Sequence, residues 1–436
     1  MRRPTFVDRQ SEIEQLDDLA RHHGLVVLFG RRRIGKTSLL QRWLRRWRGL
    51  YSQAVEGSVS LQLAQTYLDL AERLEPAIEP RSWPELFALL DAQRGPLVLC
   101  LDEFPYLVAS EPALPSMLQK WLDHRRKEDV LIVLAGSSTR MMHATFLEES
   151  APLYGRALKT IRLGPMAYRH FCRFHGVAVG TPSFELFALT GGVPKYWQWL
   201  AVASASRRTD PLELADRLFF AAFAWMDEEP RRVLADERLS GIAPVSVLEA
   251  IGRGAHRPSE IAGRLGTPQT SLSKLFQALL DASLVVRDIP FGSSARDPKR
   301  TLYRIADPAL RFWYTVYSPH RSRWPTYDRA TRATLFAAHC GAVFEDWVRS
   351  AHPGSGRYWD SSVELDMVRE ERRKGGARRL VVSEIKWKTL SANELRRVKR
   401  DLAARFARSA LAKRYHDVEL EVIDARALAR LARRER

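Results

Sequence analysis

The sequence predicts an α/β multidomain protein, and three observations carry that expectation. Short continuous apolar runs alternate with helical stretches through residue 165. A glycine-rich loop leaves the first of those runs and opens a helix. Further along, a helix–turn–helix pattern gives way to two strands, and residues 326–436 again mix strands with helices.

The apolar runs come first. LVVLF (25–29), LVLCLD (97–102) and VLIVLAG (130–136) are too short and too continuous for amphipathic helices and read as buried strands. Helical segments separate them, which predicts a parallel sheet covered by helices on both faces. IRLGP (161–165) is a candidate further strand. Residues 1–165 thus read as one domain, and residues 166–238 as a mostly helical lid.

Residues 239–325 change character. VSVLEAIG and PSEIAGRLG read as two helices, and TSLSKLFQALLDA as a third. Thr267 before Pro268 reads as an N-cap followed by proline at the first helical position. LVVRDIP and TLYRIAD then form two strands, and this order is that of a winged helix. In the last domain, 326–436, AVFEDWVRS reads as a helix, YWDSSVELDMV and RLVVSEIKW as strands, and SANELRRVKRDLAARFARSALA as a helix.

GRRRIGKT fits G-x-x-x-x-G-K-[ST] between a strand and a helix. Such a loop binds ATP. Backbone N–H groups from Gly30 through Arg31, Arg32, Arg33, Ile34, Gly35 and Lys36 to Thr37 and Ser38 wrap the phosphates, and the helix N-terminus adds a favourable dipole. Lys36 is expected to reach the β- and γ-phosphates, and Thr37 to hold Mg²⁺. Asp102 ends LVLCLD and is the candidate for the Mg²⁺ water shell. Glu103 beside it is the candidate for positioning the attacking water. Ser137, after VLIVLAG, is placed to sense the γ-phosphate. Arg156 in LYGRALKT either sets a cation on the transition-state charge or is a surface arginine.

The last domain offers Glu345 on a helix, Asp366 on a strand, and Glu384-Ile385-Lys386 on a neighbouring strand. Strand alternation puts Glu384 and Lys386 on one face and Ile385 toward the core. Carboxylates so disposed can hold a divalent metal, with Lys386 aimed at a phosphate or water. The other reading is a fold that no longer uses these groups.

Composition narrows the partners. The formal net charge is +18, which invites a polyanion such as nucleic acid, DNA before RNA. The third helix of the winged-helix stretch presents Gln269, Thr270, Ser273 and Lys274 but no arginine cluster, while the wing carries Arg296, Lys299 and Arg300. DNA binding and packing within a nucleotide switch therefore both stand. Basic residues from Arg369 to Arg379 and from Arg396 to Arg400 suit a polyanion. No apolar run approaches the roughly 20 residues that span a bilayer, so no membrane partner is expected. MRRPTFVDRQ lacks the apolar core of a signal peptide. Cys100, Cys172 and Cys340 are scattered, which suggests neither a disulfide framework nor a zinc site, and a reducing cytoplasm is the expected compartment.

The motifs carry a resemblance. FVDRQSEIEQL (6–16), GRRRIGKTSLL (30–40), LCLDEFPYL (99–107), GSSTRMM (136–142), LYGR (153–156), TGGVPKYW (190–197) and YRIADPALRFWY (303–314) resemble, in order, the archaeal-type ATP-binding proteins. These are AAA-like or STAND-like P-loop ATPases found also in bacteria. The resemblance implies a lid element near the nucleotide that contains Gly192 and Pro194, with Arg9 near the adenine side. It also implies a C-terminal restriction-endonuclease-like domain, in which Asp366, Glu384 and Lys386 cleave phosphodiesters. Pro194 is physically suited to start a helix after the turn that Gly191 and Gly192 free.

Overall fold

The computed structural model describes residues 6–47, 49–75, 78–125, 129–204, 210–294, 300–372 and 378–435. The chain divides into two compact units. The first comprises residues 1–166, 193–195 and 233–239, and the second comprises 167–192, 196–232 and 240–436.

The first unit is built on five parallel strands: β1 (Gly24–Phe29), β2 (Leu50–Gln53), β3 (Leu97–Asp102), β4 (Val130–Gly136) and β5 (Ala157–Arg162). Their order across the sheet is β2-β3-β4-β1-β5. Every residue of β3 and β4 is buried, as expected of strands covered on both faces. On one side of the sheet the core runs from Val27, Leu99 and Ile132 into Trp83, Phe87 and Phe104. The reversal of strand order around β1 leaves a crevice beyond the carboxyl ends of the strands, where ligands of open α/β sheets bind.

β5 begins at Ala157, earlier than the 161–165 run suggested. β2 was not marked by any apolar run. It is a four-residue edge strand, LYSQ, too short for a period to show.

In the second unit the described stretches between residues 168 and 232 are mostly helical, and Pro194 opens the helix Pro194–Ala203 where the chain passes from one unit to the other. Helices Ile242–Gly252, Pro258–Leu265 and Ser273–Asp281 precede an antiparallel pair, β6 (Val285–Asp288) and β7 (Leu302–Ile305). One local expectation is corrected. Pro268 is not the first helical residue: it is extended, with φ −60° and ψ 138°, and a 3₁₀ turn over Gln269–Leu272 comes between it and the third helix. A fixed proline φ is compatible with both conformations, so Thr-Pro alone did not decide. Wing residues Arg296 and Lys299 lie outside the described residues, as do 373–377 of the basic run.

A long helix, Arg329–Ser350, leads into a mixed sheet of order β11-β10-β9-β8. Its strands are β8 (Gly356–Trp359), β9 (Glu364–Arg372), β10 (Arg378–Lys386) and β11 (Val418–Asp424). β8 to β10 pair antiparallel, and β10 pairs with β11 in parallel. The stretch YWDSSVELDMV is two strands, because Asp360 accepts hydrogen bonds from the backbone of Ser362 and Val363 and turns the chain between them. The helix Ala392–Arg408 packs Leu402 against the sheet.

Candidate nucleotide-binding site

Residues 30–36 leave β1 at its carboxyl end and fold into a loop that only small residues permit at two points. A Cβ on Gly30 would stand 2.5 Å from the Leu163 carbonyl oxygen. Gly35 adopts φ +96°, in the region that favours glycine. The helix Lys36–Trp47 then begins, anchored in the core by Leu39, Leu40 and Trp43.

Lys36 is 4% exposed. Its Nζ donates to the carbonyls of Gly30 (2.9 Å) and Arg31 (3.3 Å), so the ammonium is folded back on its own loop. Burial lowers its pKa, opposed by the carboxylates of Glu103, Asp102 and Glu237. Thr37 Oγ1 donates to Asp102 Oδ2 at 2.6 Å, and Tyr51 Oη donates to the same oxygen at 2.9 Å. The other Asp102 oxygen accepts from the Glu103 backbone N–H at 2.9 Å. Asp102 is fully buried at the end of β3, so every one of these bonds lies in low dielectric, where a charged acceptor makes strong bonds.

Glu103 follows in the left-handed region, φ 55° and ψ 39°. A non-glycine residue is strained there, and such strain gathers at functional sites. The bend aims its carboxylate across to the end of β4, where Oε2 accepts from the hydroxyl (2.6 Å) and the backbone N–H (3.2 Å) of Ser137. Thr37, Asp102, Glu103 and Ser137 are therefore brought together around the loop.

Arg9 is buried, with φ 71°. It donates to the carbonyls of Gly164 (2.7 Å) and Ile34 (3.3 Å), tying the phosphate loop to the turn after β5. Pro194 stands over the loop: its Cγ is 3.9 Å from where a Cβ on Gly35 would sit. Arg32 and Ser38 are exposed.

Arg156 is not part of this cluster. It immediately precedes β5, whose Ala157 is registered with Leu25 at the start of β1, whereas the phosphate loop leaves the far end of β1. Its guanidinium pairs with Asp123 at 3.0 Å. Within this chain Arg156 stands apart from the loop, and both readings remain open. The LYGR pattern carried no information about which end of the sheet it would reach.

Three residues that matter here were not singled out from sequence. Tyr51 lies on the short β2, registered beside Cys100 of β3, and Gln53 on the same strand is registered beside Asp102. From a distant stretch of chain Asp236 reaches Arg32 of the loop and Glu237 the residues after β4, and no local pattern marks them.

The C-terminal carboxylates form a second cluster, within the second unit. Asp366 Oδ2 accepts from the Ile385 backbone N–H at 2.9 Å, which sets it beside Glu384. Burial and the Glu384 charge raise the Asp366 pKa. Burial first, then Asp366, pushes Glu345 up to about 7. Lys386 Nζ pairs with Glu384 Oε1 at 2.7 Å, and Arg405 holds the other oxygen. Ile385 is buried, as alternation required. Asp366 feels both Glu384 and Lys386, and Glu345 feels Asp366, yet among the described residues no three His, Cys, Asp or Glu side chains are gathered closely enough to hold a metal ion. Glu384 is instead closed by two cations.

Comparison with known proteins agrees with the first unit. Residues 6–198 match the profile of an ATPase domain predominantly from Archaea. An uncharacterised protein of Methanocaldococcus jannaschii is 25% identical over 423 residues, covering 91% of each chain. A Walker-type ATPase of Pyrococcus abyssi superposes with a TM-score of 0.53 at 22% identity, covering 72% of this chain and 99% of that one. The ORC2 protein of Aeropyrum pernix, solved in ADPNP and ADP complexes, gives a TM-score of 0.45 at 14% identity, over 77% and 95% of the two chains. The parallel α/β sheet, the loop at the end of β1 and the matched profile agree: residues 6–198 are similar to an ATPase domain predominantly from Archaea and share the fold of a Walker-type ATPase.

Proposed function

We propose that the first unit binds ATP with Mg²⁺ and hydrolyses it, and that the nucleotide state governs how the second unit engages nucleic acid, DNA before RNA. The observation that carries the first half is the Thr37–Asp102 contact at 2.6 Å with Glu103 next to it. Two hard oxygen donors converge at the start of the phosphate-loop helix, which fits Mg²⁺. Bound there, the ion neutralises charge on the β- and γ-phosphates. The backbone from Gly30 to Ser38 would cradle the phosphates, and Lys36 would exchange its two carbonyl partners for phosphate oxygens. Glu103 would orient the attacking water after leaving Ser137, whose hydroxyl then faces the γ-phosphate. Arg9 and Pro194 would border the base.

The test uses two substitutions. Lys36→Ala should abolish tight ATP binding by isothermal titration, and unchanged affinity would sink the assignment of the loop. Glu103→Gln should bind ATP but release phosphate at least ~100-fold more slowly at saturating ATP, since general-base-type positioning contributes about 10²–10⁴. Wild-type turnover in that variant would place the water-positioning group elsewhere.

In the second unit the three helices followed by β6 and β7 support a winged-helix reading, with Gln269, Thr270, Ser273 and Lys274 exposed. Arg300 donates to the Trp359 carbonyl. The mixed sheet with Asp366, Glu384 and Lys386 side by side supports a restriction-endonuclease-like domain. Cleavage is one reading of that domain. The grip of Lys386 and Arg405 on Glu384 favours the other, a regulatory switch of STAND type whose nuclease fold is inert. Plasmid, single-stranded DNA and RNA incubated with Mg²⁺ or Mn²⁺, with and without ATP, separate the two: cleavage lost in Asp366→Ala supports the nuclease, and binding without cleavage supports the switch.

A further inference from the structure

Residues 233–239 belong to the first unit although the chain on either side belongs to the second. This short stretch brings one carboxylate to the phosphate loop and the next to the end of β4. Asp236, at the end of the helix Glu229–Asp236, pairs with Arg32 Nη1 at 2.5 Å. Glu237 is 1% exposed. Its Oε1 accepts from the Thr139 backbone N–H (3.3 Å), and its Oε2 accepts from the Arg140 backbone N–H (3.3 Å) and the Ser138 hydroxyl (3.4 Å).

The second contact explains how a carboxylate survives burial. A buried charge is costly unless donors surround it. The helix Thr139–Phe146 presents N–H groups without intrahelical partners and the positive end of its dipole, and Glu237 takes both. That helix starts two residues after Ser137, so Glu237 fixes the very strand end on which Glu103 rests.

The first contact has a different character. Arg32 is the third residue of the loop, and its side chain is half exposed. Asp236 foremost raises the guanidinium pKa, against burial, with Tyr106 and Glu103 adding weaker fields. Arg32 in turn acts on Lys36, and so does Glu237. Arg32 therefore lies within electrostatic reach of Glu103, the residue proposed above to face the terminal phosphate.

We propose that Asp236 and Glu237 are positioning residues that make the site discriminate ATP from ADP: Asp236 occupies Arg32 in the resting state, and the γ-phosphate takes Arg32 from it. This rests on the ATP reading above. ADP lacks the third phosphate and leaves the Arg32–Asp236 pair closed. The segment that carries both carboxylates is continuous in sequence with the second unit on both sides, so its release is the event by which nucleotide state is passed along the chain.

The experiment measures the dissociation constants of AMPPNP and ADP, both with Mg²⁺, by isothermal titration for the full-length protein. Asp236→Asn should tighten AMPPNP by about two- to fivefold, the range of a partly exposed ion pair, and leave ADP unchanged. Arg32→Gln should weaken AMPPNP, leave ADP unchanged and make Asp236→Asn silent when the two are combined. Glu237→Gln, which removes a charge near Lys36 while keeping the shape, should alter the AMPPNP:ADP ratio in the same direction as Asp236→Asn. Asp123→Asn, far from the loop, is the control and should change neither ligand. An unchanged ratio in Asp236→Asn, or an Asp236→Asn effect that persists without Arg32, overturns the proposal even if Glu237→Gln fails to fold. If the wild type binds neither nucleotide, the ATP reading falls and this proposal with it. If the wild type binds both and the ratio does not move, only the proposal falls.

Discussion

At the scale of single residues the nucleotide site is a chain of hydrogen bonds with Asp102 at its centre. Its partners differ in how plainly sequence marks them. Lys36 and Thr37 are fixed by spacing within one loop, and Asp102 and Glu103 by the end of an apolar run. Tyr51 is marked by neither, because its role follows from the pairing of two strands far apart in the chain, Gln53 beside Asp102. Tyr51→Phe removes one of the two hydroxyl donors to Asp102 Oδ2 and keeps the ring. A hydrogen bond to a charged group contributes about 1.5–3 kcal/mol when both partners are buried, and Tyr51 is only partly so. A fall of about three- to tenfold in ATP turnover is expected, with fold and ADP binding retained, as steady-state phosphate release and titration would show. Turnover equal to wild type would make the Tyr51 contact incidental.

At the scale of elements, what was legible was whatever period or continuity a segment carried by itself. β3 and β4 coincide with LVLCLD and VLIVLAG because strands buried on both faces are apolar throughout. β11 is an edge strand with alternating VELEVI, a readable period that the longer helical run before it obscured. The helix Arg329–Ser350 was read only around its last turns, since its first half is largely exposed. It holds a buried histidine no motif announced. His339 is 4% exposed, and its Nε2 donates to the Ala188 carbonyl at 2.8 Å. Burial lowers its pKa to about 3. A base with a depressed folded-state pKa binds fewer protons than its unfolded counterpart at intermediate pH, so stability falls as pH drops below about 6.5 and continues falling to about 3. At pH 5 the loss from this residue is about 2 kcal/mol. His339→Gln keeps a donor and cannot titrate. Its melting temperature should therefore fall less between pH 7.5 and pH 5 than that of the wild type, by calorimetry. Parallel curves would show that His339 does not contribute to acid lability.

At the scale of the whole molecule, two charged clusters lie in separate units, and their chemistry should be separable. Asp366→Ala and Lys386→Ala alter only the C-terminal cluster. ATP turnover in both variants should stay within about twofold of wild type, a margin that allows for nucleic-acid-dependent stimulation being absent from the assay. A large loss of ATPase activity in either would tie the two clusters into one mechanism. The first unit is also not a continuous piece of chain. Its residues 233–239 arrive after more than sixty residues assigned to the second unit, and they carry the carboxylate that caps the helix after Ser137. On the ribosome, at about 5–20 residues per second, the stretch from residue 166 to residue 239 takes roughly 4–15 s to emerge. Through that interval the nascent sheet has all five strands, but the Thr139 and Arg140 N–H groups lack their Glu237 acceptor and Arg32 has no Asp236. A fragment ending at residue 166 is frozen in the same condition. Shortened versions of this protein meant to isolate the ATPase should therefore retain residue 239 at the least, and the time before it appears is the window in which a chaperone would find the sheet incomplete.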